Sequence, residues 1–269
     1  MTTTGCPSPN RRGLIRQSLM AWCFPNIHPV ELARHAKSMG IVAMEGMDAS
    51  HFAAVRDAGL AISLVLSYWF DRGPVQPANH EHCLAEMEKA LELCGQHACR
   101  QILVFTGLRE SGMSETVARE NCVTCWKQIL PLAEARGVTL CLEHLNSRDT
   151  THPMKGHPGY FGDDLDRCVD MIRACDSPHM KLLFDIYHVQ VMHGDVIRRL
   201  RQHQDLIHHY HIAGNPGRGE PDHSQEINYP AVLRAIADTG FAGYVAQEFL
   251  PTWDDPLAAL REAVAICDV

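Results

Sequence analysis

Three features that each define a class of proteins are missing from this sequence of 269 residues. No apolar run approaches the roughly 20 residues that span a bilayer, so we expect no membrane partner. Lys and Arg form no dense basic stretch and the net charge is −8, which argues against a nucleic-acid partner because such partners need a basic surface. Neither a GxGxxG nor a Walker A pattern is present, which argues against a nucleotide-binding open sheet.

A disulfide framework is missing as well, although the sequence contains eleven cysteines. They are scattered along the chain and their number is odd. We therefore expect reduced, buried cysteines that pack as small hydrophobic side chains in a cytoplasmic protein. Cys122 and Cys125 form a CxxC pair, but no second pair completes a zinc site. Residues three apart share one face of a helix, so we expect this pair to serve helix packing.

Arg11 and Arg12 could begin a twin-arginine export signal, but the residues that follow do not fit one. Arg16 and Gln17 interrupt the apolar core that such a signal requires. We expect this stretch to form the first strand of the fold, and residues 1–12 to form a flexible tail. The remaining residues, 13–269, suit one α/β barrel, which commonly has this length.

Eight apolar runs alternate with helical patterns through the rest of the chain. The predicted strands cover residues 15–22, 41–44, 60–66, 101–105, 138–142, 182–184, 206–210 and 243–246. The predicted helices cover residues 29–39, 50–58, 81–94, 114–136, 163–174, 195–202, 230–238 and 256–266. Strand-then-helix units in succession, with no domain-sized linker, predict a single (β/α)8 TIM barrel rather than an open doubly wound sheet.

Polar side chains follow four consecutive predicted strands at the point where each strand ends. They are Glu143, Asp185, His211 and Glu248. The carboxyl ends of parallel barrel strands open onto one face, so we expect these side chains to lie close together. Three neighbouring carboxylates repel one another, and a divalent cation resolves that repulsion.

The type of these four residues also indicates which metal they would hold. Oxygen ligands with one imidazole suit Mn²⁺ or Mg²⁺, with Co²⁺ also compatible, and the absence of cysteine argues against a structural zinc. A single carboxylate at a strand end often serves only as a helix N-cap or in a loop ion pair. Four in a row are much harder to explain in that way.

Several segments of this sequence resemble the xylose-isomerase-like barrel superfamily, and within it the hydroxypyruvate isomerases. The segments that carry the resemblance are Gln17-Ser18, Trp22-Cys23-Phe24, Val104-Phe105-Thr106-Gly107, Leu142-Glu143-His144-Leu145-Asn146, Phe184-Asp185-Ile186-Tyr187-His188, Gln190, the run from His211 to Arg218, the run from Gln225 to Tyr229, and Gln247-Glu248-Phe249. The resemblance covers nearly the whole chain after residue 12.

This resemblance implies a role for each candidate residue. Glu143 and Glu248 would be the paired acid and base, and together with Asp185 and His211 they would hold the metal. His188 and Arg218 fall where related ketose epimerases contact substrate oxygens. In one respect the sequence departs from some hydroxypyruvate isomerases, which have Gln at the position of His211, whereas His is usual in the epimerases.

The expected reaction moves a carbonyl group by one carbon through an enediolate, with proton transfer between two glutamates. The leading hypothesis is a metal-dependent isomerase that converts hydroxypyruvate to tartronate semialdehyde, or acts on a closely similar small hydroxy-oxo acid. The second is a 3-epimerase of free ketoses with the same ligands, and the third is a lyase such as a dehydratase of a cyclic polyol. An endonuclease would need further histidines and a basic groove, and a non-catalytic sugar-binding protein would have lost one glutamate.

Two further expectations concern a loop and the assembly. The segment 146–162 is too long for a bare connection and lies beside Glu143, so we expect it to act as a lid over the site. The sequence does not decide the oligomeric state, and a homo-oligomer stays open. The expected partner in every enzymatic hypothesis is a small-molecule substrate.

Overall fold

The computed structural model describes residues 13–269, so the tail predicted at 1–12 lies outside the described residues. Within the described residues nine strands form one sheet in which every pairing is parallel. They are β1 (Arg16–Met20), β2 (Ala43–Glu45), β3 (Ala61–Ile62), β4 (Val65–Leu66), β5 (Gln101–Val104), β6 (Thr139–Glu143), β7 (Met180–Asp185), β8 (Ile207–Ile212) and β9 (Tyr244–Gln247). Their order in the sheet is β3-β2-β1-β9-β8-β7-β6-β5-β4.

The two edge strands of this sheet, β3 and β4, are consecutive pieces of one stretch of chain. β3 pairs with β2, and β4 pairs with β5 on the other side. The chain changes partner at Ser63, whose backbone N–H donates to Met44 and whose carbonyl accepts from the Gln101 side chain. The sheet therefore closes into a barrel, and the predicted TIM barrel is confirmed. The single strand predicted over 60–66 is two short strands.

Nine α-helices surround the barrel within residues 13–269. They are α1 (Pro29–Ser38), α2 (Phe52–Asp57), α3 (His80–His97), α4 (Glu115–Arg136), α5 (Leu165–Cys175), α6 (Ile186–Met192), α7 (Val196–Gln202), α8 (Tyr229–Asp238) and α9 (Pro256–Ile266). Ser114 accepts a hydrogen bond from the Val117 N–H and caps α4. The predicted first strand starts one residue before β1 and continues two residues beyond its end, where a 3₁₀ turn at Ala21–Cys23 follows.

The core fills the space inside the barrel and between the barrel and its helices. Strands β5 and β6 are buried along their whole length, as expected for strands covered on both faces. The ten cysteines among the described residues are all buried and unbridged, and Cys122 and Cys125 both pack inward from α4. Within residues 13–269 no helix combines the length and the hydrophobicity needed to cross a membrane.

Candidate active site

The structure brings all four strand-end residues together at the carboxyl ends of the barrel strands. Glu143 and Asp185 are the last residues of β6 and β7, His211 lies near the end of β8, and Glu248 follows β9. One ligand atom from each lies within 4.8 Å of the others, and all four side chains are buried. This proximity follows from the parallel register, in which Asp185 pairs directly with His211.

His211 contacts both glutamates through one ring nitrogen. Its Nδ1 atom is 3.1 Å from Glu143 Oε1 and 2.8 Å from Glu248 Oε2. Burial alone would lower the pKa of His211, but Glu248 and the hydrogen bonds to the glutamates raise it well above its ordinary value. In the absence of a cation, a protonated imidazole therefore offsets part of the negative charge of this cluster.

The carboxylates of the cluster differ in their pKa values because their neighbours differ. Burial raises the pKa of Asp185 to about 8, against the opposing effect of Arg218. Burial also acts to raise the pKa of Glu248, but Arg218 and His211 outweigh it and lower that pKa to about 2. Burial raises the pKa of Glu143, and the repulsion from Glu248 adds to the shift. Such opposed shifts within one buried cluster are typical of functional sites.

Two buried polar atoms at this cluster have no hydrogen-bond partner among the described residues. Asp185 Oδ1 accepts from the His188 N–H at 3.0 Å and caps α6, whereas Asp185 Oδ2 has no partner. His188 Nε2 has none either, and it lies 3.6 Å from that same oxygen. Buried polar atoms normally find partners, so these two atoms are suited to bind a ligand. The three carboxylates and one imidazole of the cluster are a ligand set that suits a divalent cation.

His188 is held in a defined orientation. Its Nδ1 accepts from the backbone N–H of Asn146 at 3.1 Å, so in the neutral ring the proton resides on Nε2, which faces the cluster. Burial and the nearby Arg218 charge lower the pKa of His188 well below its ordinary value. The neutral imidazole thus presents an N–H donor toward the site.

Arg218 lies in the wall of the site and is almost fully buried. Its Nη2 donates to Glu248 Oε2 at 2.6 Å and lies 3.6 Å from Asp185 Oδ2. Its Nη1 donates to the carbonyl of Met154, while its Nε has no partner among the described residues. The guanidinium therefore links the acidic cluster to the loop 146–162 and retains one unused donor.

A pocket opens above the cluster with mainly apolar walls. Glu143, Glu248 and Arg218 line it. Its walls include Trp22, Trp69, Phe70, Phe105, Leu145, Met154 and His157. Met154 and His157 belong to the loop 146–162, so this loop forms part of the pocket.

One buried carboxylate near the cluster was missed by the sequence argument. Glu45 ends β2, is fully buried and lies 2.9 Å from His211 Nε2 through its Oε1 atom. The sequence contains the same indication as at the other sites, because Glu45 follows directly on the apolar run 41–44. Only the ends of the last four strands were predicted to form the site, so Glu45 was not among the predicted residues.

Fold and site together define a TIM-barrel protein with a buried acidic cluster, able to hold a metal ion, at the carboxyl ends of its strands. The model of the family described as "Xylose isomerase-like TIM barrel" matches residues 33–267. The chain therefore belongs to this family.

Curated relatives with sequence similarity are named as isomerases. The chain is 31% identical to a 2-oxo-tetronate isomerase of Cupriavidus necator over 163 residues, which cover 61% of this chain and 60% of the relative. It is 26% identical to a putative hydroxypyruvate isomerase of Homo sapiens over 255 residues, which cover 87% and 89% of the two chains.

Solved structures share the fold at lower identity. An AP endonuclease, family 2, from Brucella melitensis superposes with a TM-score of 0.80 at 23% identity, covering 91% of this chain and 95% of the other. A 3-keto-D-glucoside 4-epimerase from E. coli superposes with a TM-score of 0.75 at 22% identity, covering 93% and 97%. Their different activities show that this barrel alone does not specify a reaction.

Proposed function

We propose that this protein is a metal-dependent isomerase that interconverts hydroxypyruvate and tartronate semialdehyde. The observation that carries the proposal is the position of the two buried glutamates, Glu143 and Glu248, which both contact His211 Nδ1 and both line one pocket. The relatives named as hydroxypyruvate and 2-oxo-tetronate isomerases support a small hydroxy-oxo acid as the substrate.

The two glutamates would carry the proton transfer. One carboxylate removes a proton from C3 of hydroxypyruvate, which gives an enediolate, and a proton is then returned to C2 by the other. The hydroxyl proton moves from O3 to O2, so the product is an isomer and no oxidant or reductant is consumed. Both glutamates are buried, which excludes bulk water from the groups that exchange protons.

Glu143, Asp185, His211 and Glu248 would hold the divalent cation, for which their donor set favours Mn²⁺ or Mg²⁺ and allows Co²⁺. When bound, the cation supplies electrostatic stabilisation of the negative charge that develops on the substrate oxygens. Asp185 is suited to this role because its Oδ2 has no partner among the described residues.

His188 and Arg218 would bind the substrate. The Nε2–H of His188 is directed at the cluster and can donate to a substrate oxygen. The Arg218 guanidinium lies beside the same cluster, and its Nε–H is without a partner among residues 13–269. A guanidinium offers both charge and directed donors to a carboxylate, the group that distinguishes hydroxypyruvate from a free ketose.

A 3-epimerase of free ketoses is the second candidate. The presence of His at position 211, which is usual in the epimerases that the sequence resembles, favours it. The same glutamates and the same metal ligands would serve both reactions. The difference lies in the substrate, so a panel of hydroxypyruvate, ketopentoses and ketohexoses separates the two candidates.

The test follows deuterium from solvent into substrate with Mn²⁺ supplied. We expect the wild-type protein to exchange the C–H proton, and Glu143→Gln and Glu248→Gln each to lose exchange by about 10²-fold or more, because a positioned acid or base contributes that much. Glu88→Gln, on the exposed face of α3, is the matched control and should keep wild-type exchange.

The outcomes distinguish the candidates. Exchange with hydroxypyruvate supports the isomerase, and exchange with ketoses alone supports the epimerase. Full exchange in both cluster variants, with circular dichroism spectra like that of the wild type, would contradict both assignments.

A further inference from the structure

We infer that Glu45 is a positioning residue that holds the imidazole of His211 with its Nδ1 atom directed at the metal position. The inference rests on the proposed function, since it assigns a role toward the metal. Glu45 reaches His211 across the barrel from β2 to β8, and both side chains are fully buried.

The hydrogen bond between these residues fixes which nitrogen of His211 carries the proton. Glu45 Oε1 lies 2.9 Å from His211 Nε2. An ionised carboxylate only accepts hydrogen bonds, so Nε2 must carry hydrogen. When a cation replaces the second proton, the lone pair of the imidazole is on Nδ1, the atom that faces Glu143 and Glu248.

Glu45 is itself held in place by the strands around it. Its Oε2 atom accepts from the hydroxyl of Ser63, at the junction of β3 and β4, and lies 3.4 Å from the hydroxyl of Ser18 on β1. Its Oε1 atom is 3.1 Å from His209 Nε2 as well as bonded to His211. Four side chains from the barrel interior thus surround one carboxylate, which leaves it little freedom to turn away from His211.

By residue type, Glu45, His209 and His211 could also form a second metal site. The contacts of His209 argue against this. Gln101 Nε2 lies 2.8 Å from His209 Nδ1, and an amide nitrogen only donates, so Nδ1 accepts and the proton of the neutral ring is on Nε2. Cys141 Sγ next to Gln101 Oε1 supports this amide orientation, because a thiol donates to an oxygen.

Both imidazoles therefore present N–H groups to Glu45, and neither offers it a lone pair for a second cation. The arrangement is a metal-ligating histidine whose other nitrogen donates to a buried carboxylate. Such outer partners fix ring orientation and raise the basicity of the ligand. Removing one typically weakens metal affinity by about 10- to 100-fold.

The experiment measures Mn²⁺ binding by the paramagnetic resonance signal of the free ion. We expect Glu45→Gln to raise the Kd for Mn²⁺ by about 10- to 100-fold over the wild-type protein. The matched variant is Ser63→Ala, which removes a partner of Oε2 and leaves the Oε1 contact to His211 intact. It should raise the Kd less than Glu45→Gln does, because the contact that places the proton of His211 on Nε2 is retained.

A second measurement reports the tautomer in the wild-type protein and does not depend on the folding of any variant. Long-range proton–nitrogen correlation spectra of ¹⁵N-histidine-labelled protein loaded with Mg²⁺ should show His211 protonated at Nε2 and unprotonated at Nδ1. Protonation at Nδ1 instead would overturn the inference. The His211→Gln variant assigns the resonance.

The outcomes separate this inference from the proposed function. If the wild-type protein binds Mn²⁺ and Glu45→Gln binds it equally well, the role of Glu45 is wrong while the metal site stands. If the wild-type protein binds neither Mn²⁺ nor Mg²⁺, the metal site itself is wrong and this inference fails with it. Weaker binding by Glu45→Gln, together with the Nε2 tautomer, supports the assignment.

Discussion

At the scale of single residues, Asp185 performs two tasks that the sequence argument treated as alternatives. One carboxylate oxygen caps α6, and the other has no hydrogen-bond partner among the described residues and is a candidate metal ligand. The strand-end pattern therefore identified the residue, but could not show how its two oxygens are divided. It also could not identify the partner of Glu45, because Glu45 and His211 are 166 residues apart in sequence and meet only across the closed barrel.

Arg218 offers a test of the substrate site at the same scale. Arg218→Lys keeps one positive charge, but it replaces a planar fork, which donates to Met154 and Glu248 from two different nitrogens and keeps Nε–H for substrate, with a single ammonium nitrogen. We expect kcat/KM to fall by about 10- to 100-fold, which corresponds to a lost charge-assisted hydrogen bond of about 1.5–3 kcal/mol. Steady-state kinetics on the best substrate of the panel measure this.

Arg198→Lys is the matched control, since the side chain of Arg198 is 78% exposed and, among residues 13–269, forms an ion pair with Asp195 alone. This control should keep the wild-type kcat/KM. An unchanged kcat/KM in Arg218→Lys would show that substrate binding does not depend on the planar geometry of the Arg218 guanidinium.

At the scale of elements, the sequence predicted the order of strands and helices. It did not predict that the third strand divides in two or that helix α6 is present. The third strand divides at Ser63 because the barrel changes hydrogen-bond partners there, a feature of closure that no local pattern encodes. Helix α6 was missed because its first four residues are all buried. A helix without an exposed face lacks the periodicity by which helices are predicted.

The loop 146–162 was predicted to be a lid, and that role stays a prediction. The structure shows how the loop is organised: Asn146 Oδ1 accepts from the backbone N–H groups of Arg148 and Asp149, and the Asn146 carbonyl accepts from the N–H of His157. A Cβ atom on Gly156 would lie 2.3 Å from the Asp149 carbonyl oxygen and 2.5 Å from Asn146 Oδ1. The loop must shift to accept any side chain at this position.

We therefore expect Gly156→Ala to loosen the loop and impair the pocket, because Met154 and His157 line it. Trypsin should cleave faster at Arg148 and Lys155, and kcat/KM should fall on the order of 10-fold or more, since small displacements of binding groups are costly. Gly95→Ala is the control, because nothing lies within 4 Å of a Cβ there and alanine favours helix.

The same digestion tests the lid in the wild-type protein. A substrate analogue should slow cleavage at Arg148 and Lys155 if the loop closes over the pocket. Equal cleavage rates with and without the analogue would count against a lid.

At the scale of the whole molecule, the barrel could be predicted because each strand-helix unit is visible in the sequence by itself. The contacts between polar side chains inside the barrel could not be predicted, because they join strands that are far apart along the chain. Gln101 on β5 contacts His209 on β8, and Gln247 on β9 donates to Gln17 on β1. These pairs exist only once the sheet has closed, so they follow from the fold and not from local pattern.

His208, on the face of β8 opposite His209, makes the free energy of unfolding depend on pH. Burial, with the nearby His209 and Lys181, lowers its pKa from 6.5 to about 4. Between these values the unfolded chain binds a proton at His208 that the folded chain does not. The free energy of unfolding therefore decreases as the pH falls from about 6.5 to about 4, and this contribution is constant above pH 6.5.

The contribution of one such group reaches about 1.4 kcal/mol per pH unit. We expect urea denaturation at pH 7.5 and pH 5 to show a larger loss of stability in the wild-type protein than in His208→Gln, by about 1–2 kcal/mol. His223→Gln, whose imidazole is 91% exposed, should lose as much as the wild type because an exposed ring has little burial cost. If His208→Gln loses as much stability as the wild type, the barrel accepts a charge at His208 without penalty, and acid sensitivity must arise from other buried groups.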